Sequence, residues 1–341
     1  MKSNTAAIAA DFSCANQHAL ATILDASQTQ SIIAARDIFD ISGTKLWARD
    51  LPVSQALQRK LLDRQLREPL ESCLKAADGV TAHTLVEAVE RLLKQPTPLT
   101  ALLHAHADTL LREAAKLPVH PVAQLLLTAS RSSRPAAYEH AIQAMALNGA
   151  LMLAQGGKPT DLRIAMLSGL LHDLGEMYIA PEFGEADAER TVDVLTYQQL
   201  VVHPHVGQLL IAQLTDYPAE VARAIAEHHE RMDGSGYPHC LRGDQLSMHG
   251  RLLAVTESTL ATLSEPAAPL SRASIALRVV PGEYDLRWVG LITQVVRQQP
   301  TATAKRTAEE LQERLTKLAE VMHDASTATA TLRREATSAA L

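Results

Sequence analysis

Residues 164–176 read IAMLSGLLHDLGE, an apolar run that ends in an adjacent histidine and aspartate. The run is typical of a buried helix, and Gly175 follows it where such a helix would end. We therefore expect His172 and Asp173 to face the core at the C-terminus of this helix. An adjacent pair suits metal binding, because the carboxylate can bridge two divalent ions while the imidazole binds one of them.

The histidines of the chain are concentrated around this stretch. Eight of the 14 lie within 110 consecutive residues. Among them, His140 lies within a helical pattern, His203 begins another, and the pair His228-His229 ends a third. Glu257 lies on an otherwise apolar helix, where an unpaired carboxylate would be costly, so we expect it to have a partner. Ligands for two metals must converge from several helices, and this set therefore predicts a metal site.

The composition favours helices. Of the 341 residues, 47% are hydrophobic and only 3% are aromatic, which argues against an aromatic-rich β-sandwich. The net charge of -6 excludes the broad basic surface of a protein that binds nucleic-acid polymers. The chain has three cysteines and no CxxC motif, which indicates a reducing compartment. It contains no run of 18 apolar residues, so no membrane span is predicted. We therefore expect a cytoplasmic, α-helical protein that binds no membrane.

The chain is predicted to divide into four segments. In the N-terminal part, Asp37 to Asp40 and Lys45 to Ala48 flank Ser42-Gly43 and predict a β-hairpin, which we expect to be the only sheet. The predicted segments are a flexible N-terminus (1–30), a mainly helical domain of regulatory or docking role (31–132), a domain of longer helices (133–325) and a low-complexity tail (326–341).

A second stretch makes the histidine set specific. Residues 228–246 read HHERMDGSGYPHCLRGDQL, and we call residues 233–238 of this stretch the GYP segment. His140 precedes His172 by 32 residues. Together with the adjacent His172-Asp173 pair, this order of residues resembles an HD-GYP domain, a branch of the HD phosphohydrolase superfamily. The resemblance begins at about residue 136, extends to about residue 325 and says little about the first 130 residues.

The resemblance implies an all-α, HD-type helical bundle with two divalent metal ions, iron or manganese. It also implies hydrolysis of cyclic di-GMP to pGpG or GMP by a metal-activated water. Asp173 and Glu176 would occupy the catalytic positions, with Asp173 bridging the two ions. The implied ligands are His140, His172, Asp173 and Glu257 for one ion, and Asp173, His203, His228 and His229 for the other. The residues implied to contact substrate or partner are Asp233, Gly234, Gly236, Tyr237, Pro238, Arg251 and Arg272.

The chain departs from the family pattern at four places. Glu176 stands where the family has a lysine that faces the substrate phosphate, which predicts weaker phosphate binding. Glu257 replaces an aspartate and remains a carboxylate, whereas Ala136 replaces a ligand of a third metal, so two metals are predicted. An Arg-Pro-Tyr segment that grips phosphates is missing, because residues 264–274 read SEPAAPLSRAS, where Arg272 is the only cation.

These features leave three functions open. The first is a phosphodiesterase that acts on cyclic di-GMP or a related nucleotide, with activity reduced by Glu176. The second is a catalytically degenerate, metal-bound module that regulates cyclic di-GMP signalling, docking a GGDEF-type protein through the GYP segment. The third is a phosphomonohydrolase of the wider HD superfamily. The retained ligands favour the enzyme, and the lost cations favour the module. A homodimer is one alternative for the oligomeric state.

Overall fold

The chain divides into two compact units, Met1–Gln298 and Gln299–Leu341. In the second unit, residues 312–321 form a helix. Within the described part of the chain, no helix is long and apolar enough to cross a membrane. The computed structural model describes residues 12–180, 200–264, 268–299, 312–321, 323–324 and 327.

Two of the predicted segment boundaries, 132/133 and 325/326, do not coincide with the limits of these units. The boundary between residues 132 and 133 falls inside the first unit, at the end of a helix, and it stays a prediction. Of the predicted tail 326–341, only residue 327 lies within the described residues.

Helices dominate the first unit, which confirms the all-α fold class. The helices of the N-terminal part are α1 (Gln17–Ala26), α2 (Gln55–Leu61), α3 (Leu70–Cys73), α4 (Ala82–Lys94), α5 (Thr100–Leu103), α6 (Ala107–Ala114) and α7 (Pro121–Ser133). The later helices are α8 (Pro135–Ala154), α9 (Pro159–Leu171), α10 (His203–Leu214), α11 (Ala219–Glu227), α12 (Met248–Thr262), α13 (Leu270–Val279) and α14 (Leu286–Gln298). The 3₁₀ helices are His104–His106, His172–Tyr178 and Gly243–Gln245.

Two small antiparallel sheets lie in the N-terminal part. Strand β2 (Ile38–Phe39) pairs with β3 (Lys45–Trp47), which confirms the predicted hairpin. Strand β1 (Ile32–Ala34) pairs with β4 (Leu74–Ala76) in a second sheet. The prediction of a single sheet is therefore wrong. The two strands of the second sheet are far apart in sequence, so no turn between them marks the pairing.

Residues 17–26 form helix α1, so the expectation that they are flexible is wrong. Asn16 caps the helix, because its side-chain oxygen accepts hydrogen bonds from the backbone N–H groups of His18 and Ala19. Ile23 and Ala26 are completely buried, and α1 packs against α7. The remaining part of the predicted segment, residues 1–11, lies outside the described residues.

Prolines begin the helices that surround the candidate site. A proline at the first helical turn has no N–H to leave unpaired, and its fixed φ angle suits the helix. The helices with this feature are α7, α8, α9 and α10, with Pro121, Pro135, Pro159 and Pro204.

Two glycines set how closely the elements of the site approach one another. A Cβ atom at Gly169 would clash with the backbone of Ala144, so this glycine lets α9 lie directly against α8. A Cβ atom at Gly175 would clash with the carbonyl oxygen of His203, the first residue of α10. The 3₁₀ helix that follows α9 therefore docks backbone to backbone on α10, and the His172-Asp173 pair is held close to His203.

Candidate metal centre

Side chains from five helical segments converge on one site. They include every residue that the resemblance implies as a metal ligand. Helix α8 supplies His140, the first turn of the long 3₁₀ helix supplies His172 and Asp173, the start of α10 supplies His203, the end of α11 supplies His228 and His229, and α12 supplies Glu257.

Five of these side chains are buried, while those of His140 and Asp173 are 26% and 13% exposed. His172, His203 and His228 have no exposed surface, while His229 is 5% and Glu257 is 6% exposed. Removing imidazole and carboxylate groups from water is costly unless they are paired or bind a metal. Their burial therefore requires a specific arrangement of partners.

A first group of ligand atoms comes from His140, His172 and Glu257. The Oε2 atom of Glu257 lies 2.9 Å from Nε2 of His140 and 3.1 Å from Nε2 of His172. Two imidazoles thus provide the partners expected for this carboxylate. The three ligand atoms lie within 4.8 Å of one another, a spacing at which a single metal ion can contact all of them.

A second group comes from His203, His228 and His229, whose ligand atoms also lie within 4.8 Å of one another. The Nε2 atoms of His203 and His228 are 3.1 Å apart. The rings of His228 and His229 lie with their centroids 4.1 Å apart. This group contains imidazoles only and supplies no negative charge, so a carboxylate that offsets the charge of a divalent ion would come from elsewhere.

Asp173 lies between the two groups. Its Oδ2 atom is 3.0 Å from Nε2 of His172 and 3.6 Å from Nε2 of His140. Its Oδ1 atom faces the other group, 3.5 Å from Nε2 of His228 and 3.7 Å from Nε2 of His203. One carboxylate therefore presents one oxygen to each group, which is the arrangement of a bridging ligand.

The ring orientation of three histidines is fixed by the backbone. In each, Nδ1 lies within hydrogen-bond distance of the carbonyl oxygen three residues earlier. Because a carbonyl only accepts, Nδ1 carries the proton of the neutral ring, and Nε2 turns a lone pair towards the site. The contacts are His172 to Gly169 at 2.9 Å, His203 to Leu200 at 2.7 Å, and His228 to Ile225 at 2.6 Å.

Two buried contacts in this site show that its residues fit metal ions. With both Nδ1 atoms protonated, the Nε2 lone pairs of His203 and His228 face each other at 3.1 Å, which is unfavourable unless a proton or a cation lies between them. The Oδ1 atom of Asp173 is buried and accepts no hydrogen bond from the described residues. Imidazole nitrogens with carboxylate oxygens suit divalent transition metals. The residues therefore fit a pair of divalent ions bridged by Asp173.

The pKa values separate the histidines of the two groups: those of His140 and His172 are raised by the nearby carboxylates, whereas those of His228 and His229 are lowered. Burial is the main cause that lowers the pKa of His228 and of His229 to about 4, so both rings are neutral at neutral pH. Burial is also the largest influence on His140 and acts to lower its pKa, but the charge and hydrogen bond of Glu257 together with the charge of Asp173 outweigh it and raise that pKa to about 9. A metal ion bound by His140 would have to displace this proton. Burial acts to raise the pKa of Asp173, but the neighbouring histidines hold it well below its usual range.

Residues 123–278 match the family described as HD domain, and this range contains both ligand groups and Asp173. The chain contains an HD domain over these residues. Its HD domain begins within α7 and ends within α13. The motif order read from the sequence is therefore confirmed at the level of the superfamily.

Curated relatives of this HD protein carry names of phosphodiesterases. It is 28% identical over 208 residues to the cyclic di-GMP phosphodiesterase PA4108 of Pseudomonas aeruginosa, covering 61% of this chain and 48% of the relative. It is 32% identical over 105 residues to the cyclic di-GMP phosphodiesterase response regulator RpfG of Xanthomonas campestris, covering 30% of this chain and 27% of the relative. It is 23% identical over 231 residues to the 3'3'-cGAMP-specific phosphodiesterase 3 of Vibrio cholerae, covering 62% of this chain and 47% of the relative. The chain thus spans about half or less of these relatives.

A solved structure was also found among similar proteins. It is described as Bd1817, a HDG"Y"P protein from Bdellovibrio bacteriovorus. The similarity has a TM-score of 0.43 and 14% sequence identity, and it covers 80% of this chain and 97% of that one.

Glu176 of the HD protein is buried at the wall of a small cavity. Only 6% of the residue is exposed, and its main-chain oxygen accepts a hydrogen bond from Nη1 of Arg134 at 3.1 Å. The cavity is also lined by Asp173. The structure thus places Glu176 next to the bridging carboxylate rather than on the outer surface. Sequence reasoning missed Arg134, which precedes α8 in a stretch that otherwise indicates a segment boundary.

The GYP segment is held by close packing. Gly236 is buried, and a Cβ atom there would clash with the backbone of His229 and Arg231, so this glycine allows two backbone segments to approach closely. The Tyr237 ring stacks on the His229 ring with centroids 4.6 Å apart. Asp233 starts the segment by accepting hydrogen bonds from the backbone N–H and side chain of Ser235. The remaining members, Gly234 and Pro238, complete the turn, with Gly234 at a φ of 82°.

The two arginines expected to contact substrate lie elsewhere. Arg251 is close to two carboxylates, with Nη1 3.5 Å from Asp285 and 3.8 Å from Asp244, and its side chain is only 18% exposed. Arg272 is exposed on α13. Among the described residues, neither arginine lies within ion-pair distance of Asp173, whose partners within 4.0 Å are histidines.

Two buried glutamates flank the His228-His229 pair and hold the chain around the second group of ligand atoms; no pattern in the sequence indicated their role. Glu230 accepts hydrogen bonds from the backbone N–H groups of His239 at 2.6 Å and Leu241 at 2.9 Å. Glu227 accepts from both the backbone and the side chain of Ser247, which caps α12. Both lie next to His228-His229 in the sequence, and their carboxylates tie the two histidines to the residues that follow the GYP segment and to the start of α12.

Proposed function

We propose that this HD protein is a metal-dependent phosphodiesterase that hydrolyses a cyclic dinucleotide. The observation that carries the proposal is the position of Asp173 between two groups of ligand atoms, with one carboxylate oxygen towards each. A bridging carboxylate between two sets of imidazole ligands suits two-metal hydrolysis of phosphate esters better than it suits a single structural ion. The names of the curated relatives point to the same class of reaction.

We propose iron or manganese as the metals, as the family resemblance implies; a donor set of imidazoles and carboxylates without a thiolate is compatible with both. His140, His172 and Glu257 would hold one ion, the second histidine group would hold the other, and Asp173 would contact both. When bound there, such ions would supply Lewis-acid chemistry, namely activation of a water as nucleophile and stabilisation of the charge that develops on a phosphodiester.

The chain's own residues prepare this site in two ways. Backbone carbonyls hold His172, His203 and His228 in the tautomer whose Nε2 faces inward, so no ring rotation is needed when an ion binds. Tyr237 covers the ring of His229, which limits the access of water to one side of the second group. Preorganised ligands and a partly dry site strengthen the electrostatic stabilisation of a phosphodiester transition state.

For the substrate, we propose cyclic di-GMP, with pGpG or GMP as products. Two of the relatives described above are named for cyclic di-GMP and one for 3'3'-cGAMP, so both dinucleotides are to be compared. We propose the cytoplasm as the location, because Cys14, Cys73 and Cys240 are free thiols.

The test is to purify the protein anaerobically with Mn²⁺ or Fe²⁺, measure bound metal, and follow each cyclic dinucleotide by chromatography. We expect about two ions per chain and a linear or mononucleotide product. His172→Ala removes metal, whereas His249→Ala, which changes a buried histidine outside both groups, retains it. Full metal content without any product and without tight binding of either dinucleotide would contradict the proposal. Release of phosphate from GMP would instead support a phosphomonohydrolase.

One observation favours a second candidate, a metal-bound regulatory module. Arg251 is held by Asp244 and Asp285, and Glu176 replaces a cation, so the site is poor in groups that grip phosphate. Such a module would bind a GGDEF-type diguanylate cyclase through the GYP segment. Binding of a purified cyclase that Tyr237→Ala weakens, in a protein without turnover, would favour this function. Sedimentation of the same sample tests the homodimer.

A further inference from the structure

Arg134 has a buried hydrogen-bond donor that its structural contacts do not use. This residue lies between α7 and α8, and its Nη1 atom donates to the main-chain oxygen of Glu176 at 3.1 Å. Its Nη2 atom is buried and has no hydrogen-bond partner among the described residues. An unsatisfied buried donor of a charged group is costly and calls for a specific partner, such as a water, an ion or a ligand.

Arg134 lines a cavity that borders the metal centre. The cavity has a volume of about 20 Å³, and its polar wall includes Asp173 and Glu176 while Leu127 and Leu174 belong to its apolar wall. A space of this size holds a single water-sized group. A phosphoryl oxygen has that size, and here it would lie beside the carboxylate that faces both ligand groups.

The charge of Arg134 is available for such an oxygen. Burial lowers the pKa of its guanidinium and the negative charge of Glu176 offsets part of this effect, so Arg134 remains a cation. Within the described ranges, no carboxylate oxygen lies within 4.0 Å of its nitrogens. Arg231 and Arg251, by contrast, have carboxylates of Glu283 and Asp285 within that distance.

We propose that Arg134 binds a phosphoryl oxygen of the substrate in the cavity beside Asp173. This assignment rests on the proposed phosphodiesterase function. It gives the site a cation supplied by the start of α8, on the side where Glu176 supplies none. The main-chain hydrogen bond to Glu176 positions the guanidinium, and the remaining nitrogen contacts the ligand.

The test uses the Mn²⁺-loaded, full-length chain and inorganic phosphate as a probe in calorimetry, which requires no turnover. Arg134→Met keeps the length of the side chain and removes the charge, and Arg134→Lys keeps the charge without the fork. Loss of a charge-assisted hydrogen bond predicts about tenfold or weaker phosphate binding for Arg134→Met and partial recovery for Arg134→Lys. The same order is expected for KM of cyclic di-GMP, with bound manganese unchanged. Arg131→Met, one turn earlier on α7, is the matched control and leaves all three readouts unchanged.

Several outcomes would overturn the assignment. Unchanged phosphate binding in Arg134→Met means that the cavity holds only a water. Loss of manganese in this variant means that Arg134 acts through the ligand groups. If Arg134→Met fails to fold, the Glu176→Gln variant tests the proposal instead. This variant keeps the hydrogen bond from Arg134 to the main-chain oxygen of residue 176 and removes the negative charge beside the guanidinium. We expect severalfold tighter phosphate binding in Glu176→Gln, and unchanged binding would overturn the proposal. If phosphate binding follows this pattern while no dinucleotide is hydrolysed, the proposed function fails and Arg134 still binds phosphate.

Discussion

At the scale of single residues, the chemistry depends on one carboxylate and on the direction in which the imidazoles face. Asp173 contacts four histidine nitrogens within 3.7 Å, two through each oxygen. The backbone selects the tautomer of three of these rings, which turns their lone pairs inward. Asp173 therefore connects the two groups of ligand atoms. A small change to its carboxylate tests whether metal binding at both groups depends on this connection.

Asp173→Asn tests the bridge. The amide keeps the size of the side chain, but it loses the negative charge and turns one acceptor into a donor. We expect bound metal to fall from about two ions per chain to about one or fewer, with hydrolysis lost. Metal analysis of the gel-filtered protein provides the measurement. Asp161→Asn, on the first turn of α9, is the control and retains both ions. Two ions in Asp173→Asn would contradict a bridging role.

Glu176→Lys tests the charge beside the bridge. The family resemblance suggests that a lysine here improves phosphate binding, but the structure places Arg134 against this residue. Two cations in a half-buried space repel each other, so we expect Glu176→Lys to lower the free energy of unfolding by about 1–3 kcal/mol. The double variant Arg134→Met/Glu176→Lys recovers this loss and binds phosphate more tightly than Arg134→Met. Urea unfolding and phosphate calorimetry of the three variants measure both effects. A single variant as stable as the wild type would contradict the repulsion.

At the scale of elements, the site is built by helices whose backbones approach unusually closely. The long 3₁₀ helix after α9 carries Asp173 and docks on the start of α10, which carries His203. Gly175 allows this contact, because any Cβ atom there would meet the carbonyl oxygen of His203. The relative position of the two ligand groups therefore depends on a residue that binds nothing itself.

Gly175→Ala tests this dependence. The added methyl group meets backbone atoms that cannot rotate away, so the 3₁₀ helix and α10 must move apart. We expect a loss of about 1–3 kcal/mol in the free energy of unfolding together with weaker binding of metal. Gly290→Ala on α14 is the matched control, since nothing lies within 4 Å of a Cβ atom at this position. The control is expected to be neutral or slightly stabilising because alanine favours a helix over glycine. Normal stability and metal content in Gly175→Ala would contradict the close approach.

At the scale of the whole first unit, the N-terminal part packs against the segment that carries the metal ligands. Asn16 donates a side-chain hydrogen bond to the main-chain oxygen of Tyr178 at 3.1 Å, and the rings of Phe12 and Tyr178 meet edge to face at 5.8 Å. Tyr178 also donates to Oε1 of Glu71 at 2.8 Å. The 3₁₀ helix of the HD domain is thus anchored at its end by residues of the N-terminal part.

The buried pair of Glu71 and Tyr178 predicts a pH dependence of stability. Burial raises the pKa of Glu71, and its hydrogen bonds offset this effect only in part. The folded state then binds a proton more tightly than the unfolded state does. The contribution of Glu71 to stability is therefore fully present below its ordinary pKa and is lost as the pH rises through the raised value.

Glu71→Gln removes this titration while keeping an acceptor for Tyr178. We expect the variant to gain stability relative to the wild type as the pH rises above the ordinary pKa of a glutamate, about 4.3. Denaturant unfolding from pH 4 to pH 7 gives the difference at each pH. Glu68→Gln, whose exposed side chain pairs with Arg36, serves as control and shows no such trend. A difference between Glu71→Gln and wild type that stays constant with pH would contradict the raised pKa.

Much of the fold could be predicted because its determinants are local. The hairpin of β2 and β3 follows from a turn between two short runs, and helices α8 and α9 of the HD domain follow from long apolar runs that begin at prolines. The second sheet could not be predicted, since its strands meet only after the chain between them has folded. Helix α1 was missed as well, because its small residues become a buried face only against α7.

The helical class, the order of the motifs and the set of seven candidate ligands could be predicted, because these depend on residue types and on their spacing along the chain. Three features become visible only in the folded protein: Asp173 turns one oxygen to each ligand group, Arg134 meets Glu176, and Arg251 is held by other carboxylates. These are contacts between helices, and their geometry is set by close packing and by backbone hydrogen bonds rather than by any local pattern.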